Sequence, residues 1–534
     1  MPVPQAGVMT GPASAPDASL PEQALPKHSG APIGVPVPVE PALPRGVPSW
    51  GVCVAVVAVV RLAAVLVVPV LPEEAYHWLY AKHLDIGYYD HPPMIAGMIA
   101  LGTAIFGDNT FGIRLIPWLA SIGTAMAAAW TAQRLYGRTA AAWTAILISL
   151  QPATLVASTF AFPDAPLLFF WALALAFLVE ALETRRGAWW LAAGAALGAA
   201  LLSKYTSCFL GASVFLYLIL SPRDRFWLKT PWPYLGILVA FVLFSPVVVW
   251  NVRHDWASFR FQSVGRLEES RGFRWTSGPA YLLLQIGSVA PLTFPLAIAA
   301  VRWGFRQGSP DRRFLLSLSL PLLLFFFCVG VSRSTHAFWP LAAWIALTIL
   351  MSGMMAGGDG PLVRFYASWW RVLAAVMAVF VAVGIVHSTR PIPGLASMRS
   401  LRGWDGIAAR AAGMKATLSP GSFYIGVGKR YLCPSQLAFH LPAPFEVHAK
   451  NLLGDDGLQF TYWSRIEALR GRDAVIVAES DWSATIEQML GKYFRRVDRV
   501  GPDFVVDGPR LGMSAKGERY SFYVGREYDP RGIP

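Results

Sequence analysis

The segment from Leu71 to Pro93, LPEEAYHWLYAKHLDIGYYDHPP, concentrates acids, histidines and aromatic residues between two apolar stretches. In a helix, Glu73 and His77 lie one turn apart on the same face, and Glu74 is beside them. Carboxylates next to imidazoles just outside a membrane span can transfer protons or hold a divalent ion. The segment therefore predicts a reactive site, in which Glu74 and His77 are candidate metal ligands, or else a solvated, charged loop.

A second acid, Asp164, lies in the sequence STFAFPDAPLLFFW at the start of an apolar run. Pro163 and Pro166 bracket it, so a helix is expected to begin there, and Asp164 could cap that helix. An ionisable residue at a membrane boundary is also a candidate functional group. Both interpretations of Asp164 stay open at this point.

The composition indicates an integral membrane protein. Of the 534 residues, 55% are hydrophobic and only 14% are charged, whereas soluble chains carry about 25% charged residues. The net charge of +13 would suggest nucleic acid as a partner of a soluble protein, but most basic residues lie in short loops between apolar runs. We therefore exclude nucleic acid and expect membrane lipids around the chain. The four cysteines are scattered and show no metal-type spacing.

Apolar runs long enough to cross the bilayer recur along most of the chain, and they predict an all-α membrane bundle of about eleven transmembrane helices. The segment from Met94 to Phe106 is apolar but short, so it is predicted to be interfacial or re-entrant. The predicted spans are 50–71, 110–132, 138–160, 165–183, 187–203, 205–220, 231–250, 278–302, 314–331, 336–353 and 367–387.

Arginine placement predicts a cytoplasmic N-terminus, because cytoplasmic loops are enriched in basic residues. Residues 1–48 are rich in proline and are expected to form a disordered cytoplasmic tail. The Glu73 segment, the Asp164 turn and the loop 251–277 then lie on the outer side. That loop carries five arginines, although outer loops are normally poor in basic residues. This excess of arginines favours phosphate binding. The alternative is an arginine-rich surface loop whose cations pair with its own glutamates.

The chain changes character after about residue 388. We expect residues 49–388 to form the transmembrane domain and residues 389–534 a small extracytoplasmic α/β domain. The segments GSFYIGVG, DAVIVAES, FVVDG and YSFYVGREY read as strands, and Pro434–His440 and Ser483–Leu490 read as short helices. No glycine-rich phosphate-binding fingerprint follows these strands.

Several motifs together resemble one enzyme family. EEAYHWLYAKHLDIGYYDHPPMIAG, FGIRLIPWLAS, PDAPLLFFW, SKYT and WNVRHDWASFRFQ resemble the GT-C fold, polyprenyl-phosphate-dependent glycosyltransferases. Within this family the motifs are most similar to the branch that holds the bacterial aminoarabinose transferases and their dolichyl-phosphate-mannose–protein mannosyltransferase relatives. The resemblance covers about residues 50–390, and RYLCPSQLAFHLP also looks like the extracytoplasmic domain of this branch.

The resemblance implies roles for particular residues. The acidic pair of the first outer loop falls on Glu73 and Glu74, either of which could be catalytic, since Glu73 replaces the usual aspartate. Asp164 matches the acid of the second loop. His91 takes the place of a lysine near the donor phosphate. Further candidate cations are Lys204, Arg253 and Arg333, and the predicted substrate-binding residues are Tyr76, Tyr88, Tyr89 and His254.

The expected function is an inverting transfer of a sugar from a polyprenyl-phosphate donor to a lipid or cell-envelope glycan, on the periplasmic side of the bacterial inner membrane. A divalent metal ion could assist. Two alternatives are a transporter or flippase of a polyprenyl-linked sugar, which should show ionisable residues deep in its spans, and a non-catalytic subunit that binds lipid-linked glycans.

Overall fold

A computed structural model provides the architecture of most of the chain. It describes residues 48–265, 277–289, 291–332, 336–358, 360–390, 392, 401–479, 483–506 and 518–532. The predicted disordered tail lies outside these residues, apart from residue 48, and so does Arg333.

Most of the described chain up to residue 390 is helical. The α-helices that position the site are α1 (Trp50–Val67), α2 (Pro72–Lys82), α3 (Met94–Phe106), α4 (Thr110–Tyr136), α5 (Arg138–Ser149), α6 (Pro152–Thr159), α7 (Asp164–Thr184), α8 (Ala188–Leu201), α9 (Cys208–Leu220), α10 (Trp232–Arg253) and α11 (Ala257–Arg260). They are followed by α12 (Ser277–Ser288), α13 (Phe294–Gln307), α14 (Pro310–Ser332), α15 (Leu341–Gly357) and α16 (Pro361–Thr389).

The predicted count of eleven spans is not confirmed. Among the described residues, six helices (α1, α4, α7, α10, α14 and α16) are long and apolar enough to cross a membrane. The predicted span 138–160 is instead two helices, α5 and α6, bent by 81°. Pro152 at the start of α6 has no N–H to continue α5, which explains the break. The predicted span 278–302 is likewise divided into α12 and α13.

Helix α7 lies at the centre of the bundle. In its most apolar stretch 78% of the residues are buried inside the protein, against 17% for α16, whose apolar side chains face outward. A helix that is apolar all round is stable only when it is enclosed by other helices or by lipid. The enclosure of α7 therefore holds its first residue, Asp164, at a fixed depth in the bundle.

The residues after 400 form a mixed six-stranded sheet with flanking helices. The strands are β1 (Phe423–Val427), β2 (Val447–His448), β3 (Ala474–Glu479), β4 (Phe494–Arg499), β5 (Phe504–Val506) and β6 (Glu518–Tyr528). Their order is β2-β1-β3-β6-β4, and β5 also pairs with β6. β1 is parallel to β2 and β3, whereas β6 is antiparallel to its neighbours. The four strands predicted from the sequence are confirmed, and β2 and β4 were missed.

Three further α-helices accompany the sheet, α17 (Trp404–Lys415), α18 (Leu432–His440) and α20 (Ser483–Leu490), with a single turn, α19 (Phe460–Trp463), between the last two. The C-terminal region packs directly on α2. The ring of Tyr431 stacks on Tyr76, with 4.0 Å between centroids and 3° between planes. The Gln436 amide donates to the carbonyl oxygen of Val70 (2.8 Å).

We expect Tyr431→Ala to loosen this contact and to lower the free energy of unfolding by about 2 kcal/mol, because a half-buried aromatic contact is lost. The measurement is the thermal midpoint of the purified protein in detergent. Tyr431→Phe keeps the ring and should melt close to the wild type. Equal midpoints for the two variants would show that the stacking contributes nothing.

Candidate active site

Glu74 is held by a buried set of hydrogen bonds. Arg114, from α4, donates from Nε to Oε1 (2.8 Å) and from Nη2 to Oε2 (2.5 Å). The backbone N–H groups of Leu71 (3.0 Å) and Ala161 (2.9 Å) donate to the same carboxylate. Both partners of the ion pair are fully buried. All of these contacts hold Glu74 in the buried framework, whereas the group of described residues that could hold a metal ion contains Glu73 and His77.

Arg114 directs its other donors to the end of α1. Its Nη1 donates to the carbonyl oxygens of Val65 (3.0 Å) and Val68 (2.6 Å), and its Nη2 donates to that of Pro69 (2.8 Å). Sequence patterns gave Arg114 no role, although an arginine inside the apolar run FGIRLIPWLAS was a signal that it needs a buried anion. One side chain thus joins α1, α2 and α4.

His77 fixes α2 to the turn before α7. Its Nδ1 lies 3.0 Å from the carbonyl oxygen of Ala161. A carbonyl oxygen only accepts, so Nδ1 carries the proton. Burial, together with the nearby charge of Lys204, lowers the pKa of His77 to about 4. The ring is therefore neutral at pH 7, and Nε2 presents a lone pair.

Glu73 lies on a different face of α2 from Glu74. It is half-buried, and one of its carboxylate oxygens, a ring nitrogen of His77 and a ring nitrogen of His91 all lie within 4.8 Å of one another. The rings of His77 and His91 are 5.5 Å apart between centroids. The spacing of Glu73 and His77 predicted this shared face, and the loop that follows α2 adds His91.

Asp164 is the first residue of α7 and is buried. Its Oδ1 accepts from Lys204 Nζ at 2.8 Å, and no side-chain cap is formed at this helix end. The capping alternative is therefore not what the structure shows. The N–H of Met94 donates to the carbonyl oxygen of Leu202 (2.9 Å), which ties the His91 loop to the turn that carries Lys204.

The tyrosines of this segment build the site's wall. Tyr76 and Tyr80 both donate to the carboxylate of Asp90, and Tyr76 Oη also accepts from the N–H of Gln459. Tyr88 is fully buried and donates to the Tyr80 carbonyl oxygen (3.0 Å). Burial raises the pKa of all three phenols. These contacts give Tyr76 and Tyr88 a packing role, and substrate binding by either residue stays a prediction.

Tyr89 is only half-buried and remains a candidate for substrate contact. Its ring lies 4.7 Å from that of Phe261 and 5.5 Å from that of Tyr462, between centroids. The other predicted substrate-binding residue, His254, stacks on Trp250 at 4.0 Å and donates from Nδ1 to the Trp250 carbonyl oxygen (2.8 Å). These contacts orient the helix end, so a packing role suffices for His254.

A hydrogen bond also joins the described part of the arginine loop to the site, through a residue to which sequence patterns gave no role. Gln262 Nε2 donates to the carbonyl oxygen of Asp90 (2.5 Å). Arg253 is exposed at the end of α10. Asp90 and Gln262 had no distinctive spacing in the sequence, and their contact joins segments more than 170 residues apart.

The membrane-length helices of the described residues indicate a multi-pass membrane protein, and its fold is that of GT-C glycosyltransferases. Two crystal structures of ArnT from Cupriavidus metallidurans have this fold. The form bound to undecaprenyl phosphate matches 88% of this chain and 97% of its own, with a TM-score of 0.61 and 19% identity. The apo form matches with a TM-score of 0.62 and 20% identity, over 89% and 97%.

Similar proteins are also found by sequence. The family model of dolichyl-phosphate-mannose-protein mannosyltransferases matches residues 90–250. Lipid A galacturonosyltransferase RgtD of Rhizobium johnstonii is 31% identical over 281 residues, 52% of this chain and 59% of that protein. Undecaprenyl phosphate-α-4-amino-4-deoxy-L-arabinose arabinosyl transferase 1 of Pseudomonas fluorescens is 27% identical over 306 residues, 54% of each. The chain therefore spans only 54–59% of the length of these curated relatives. The resemblance to GT-C glycosyltransferases, predicted from the motifs, is confirmed.

We expect Arg114→Met to destabilise the protein by about 3–5 kcal/mol, because it leaves the Glu74 carboxylate buried without its cation. The thermal midpoint in detergent measures the effect. The control is Lys82→Met, which breaks the exposed pair between Lys82 and Asp108 and should change stability by about 1 kcal/mol or less. An Arg114→Met protein as stable as this control would contradict the structural role of the pair.

Proposed function

We propose that this protein is an inverting glycosyltransferase that moves a sugar from a polyprenyl-phosphate donor to a lipid acceptor at the outer face of the bacterial inner membrane. The observation that carries the proposal is the ion pair between Asp164 and Lys204, because the charge of Lys204 acts on His77, which is grouped with Glu73 and His91. Acids and cations placed together at this depth suit a reaction between lipid-linked substrates.

The proposed reaction is a single displacement. The acceptor hydroxyl oxygen bonds to the anomeric carbon while the bond from that carbon to the phosphate oxygen of the donor breaks. A carboxylate, Asp164 or Glu73, takes the hydroxyl proton, and the polyprenyl phosphate leaves. The cation of Lys204 stabilises the negative charge that grows on this phosphate, and His91 can donate a hydrogen bond to it. Glu74 positions these groups without taking part.

The ends of α7 support the proposed orientation. Asp164 begins the helix, and Glu180 and Glu183 lie near its other end, where they pair with Arg134 at 2.8 and 3.0 Å. A helix of 21 residues is about 30 Å long, which is the thickness of the hydrocarbon. Arg185 and Arg186 follow directly and make this end basic. In the proposed orientation the basic end is cytoplasmic and the Asp164 end periplasmic.

The relatives favour a lipid A-type acceptor and an undecaprenyl-phosphate-linked donor. One relative is a lipid A galacturonosyltransferase by name, another is named as an undecaprenyl-phosphate aminoarabinose transferase, and the matching crystal structure holds undecaprenyl phosphate. We extend these two substrate classes to this chain as part of the proposal.

Asp164→Asn and Glu73→Gln should each lower transfer at least about a hundredfold, because each removes a carboxylate that can accept the proton or orient the acceptor. The assay follows sugar transfer to lipid A by mass spectrometry, in membranes that contain equal amounts of each variant. Glu467→Gln, at an exposed acid, is the matched control. Normal transfer by both Asp164→Asn and Glu73→Gln would refute the assigned roles.

A further inference from the structure

Three metal-ligating side chains meet at the site without Glu74. Glu73 and His77 come from α2, and His91 comes from the loop after it; each offers one ligand atom, and these atoms lie within 4.8 Å of one another. Ligands at about 2.1 Å from a tetrahedral ion are about 3.4 Å apart, so an approach of at most about 1.4 Å would close the set. Glu73 and His91 are half-buried, whereas His77 is fully buried, so the adjustment falls on Glu73 and His91.

His77 supplies a second, independent observation. Its side chain is fully buried, and its Nε2 has no hydrogen-bond partner among the residues that the structure describes. A buried polar atom left unsatisfied costs about 1–3 kcal/mol. Because Nδ1 donates to the Ala161 carbonyl oxygen, Nε2 is an acceptor that needs a cation or a donor.

The bond from Nδ1 to Ala161 is also typical of a metal ligand. Histidines that bind metals usually donate their other ring N–H to a backbone carbonyl or a carboxylate, which fixes the tautomer and the ring orientation. Here Ala161, whose carbonyl oxygen accepts from His77, also donates its backbone N–H to the Glu74 carboxylate. The ring is thus held in place by the buried framework of the protein.

We propose that Glu73, His77 and His91 bind a divalent transition-metal ion of the zinc class. Two imidazoles and one carboxylate suit zinc and similar ions, whereas magnesium and calcium prefer oxygen ligands throughout. Three protein ligands leave a fourth position open. The nearby Lys204 is paired with Asp164 at 2.8 Å, which reduces its repulsion of a bound cation.

The use of this ion in catalysis rests on the proposed transferase function, whereas binding of the ion does not. A phosphate oxygen of the donor would bind at the open position, and the ion would stabilise the negative charge that develops on it. Glu73 would then be a ligand, which leaves Asp164 as the acid–base residue.

The test uses the full-length protein in detergent, stripped of metal by a chelator and titrated with Co²⁺ as the spectroscopic probe. We expect about one Co²⁺ per chain with a visible ligand-field spectrum that Zn²⁺ abolishes. His77→Asn and His91→Asn should each weaken binding at least about tenfold. His83→Asn, an exposed histidine on the same segment, should bind as the wild type does. His91 lies in a loop, so its variant is informative even if His77→Asn fails to fold.

Binding by the two variants as strong as that of the wild type, or no Co²⁺ spectrum in the wild type, would overturn the site. Sugar transfer is measured separately on the same preparations. Transfer that persists after chelation, in a protein that binds no Co²⁺, rejects the ion and leaves the transferase intact. Co²⁺ binding that is lost in both variants, in a protein without any transfer, supports the site and rejects the proposed function.

Discussion

The buried ion pair between Glu74 and Arg114 is the interaction on which the rest of the site depends. Removing two charges from water is costly, and the cost is offset only when every hydrogen-bonding group is satisfied. Here the carboxylate receives four hydrogen bonds and the guanidinium serves the carbonyl groups at the end of α1. The pair therefore fixes how α2 is rotated against α1, α4 and the turn before α7.

This rotation places the two neighbouring glutamates, Glu73 and Glu74, in different environments. Successive residues of an α-helix point about 100° apart, so burying Glu74 against Arg114 directs Glu73 elsewhere. The residue one turn after Glu73 is His77, which lies on the same face. Glu73, His77 and His91 come together because Glu74 is committed to structure. A change of one residue in this register would exchange the environments of the two acids.

Much of this arrangement was accessible from the sequence, because it depends on local patterns. Helix periodicity put Glu73 and His77 on one face, and arginine placement put the Asp164 turn on the side of the Glu73 segment. The sequence could not tell which glutamate is buried, because that depends on Arg114, which is 40 residues away along the chain. The contacts of Tyr76 could not be predicted for the same reason, since its partner Gln459 lies 383 residues further on. The bend between α5 and α6 was not predicted, because both helices are apolar and together have the pattern of one span.

The C-terminal region holds α2 from its other side, also through hydrogen bonds from residues that are distant along the chain. Gln459 takes part twice, since its N–H donates to Tyr76 and its side chain accepts from the N–H of Tyr89 (2.7 Å). Tyr76 in turn donates to Asp90, the residue before His91. The segment that carries the candidate ligands is thus held by the membrane bundle on one side and by the sheet-containing region on the other. Groups fixed in this way need little reorganisation when charge develops, which is what electrostatic stabilisation of a transition state requires.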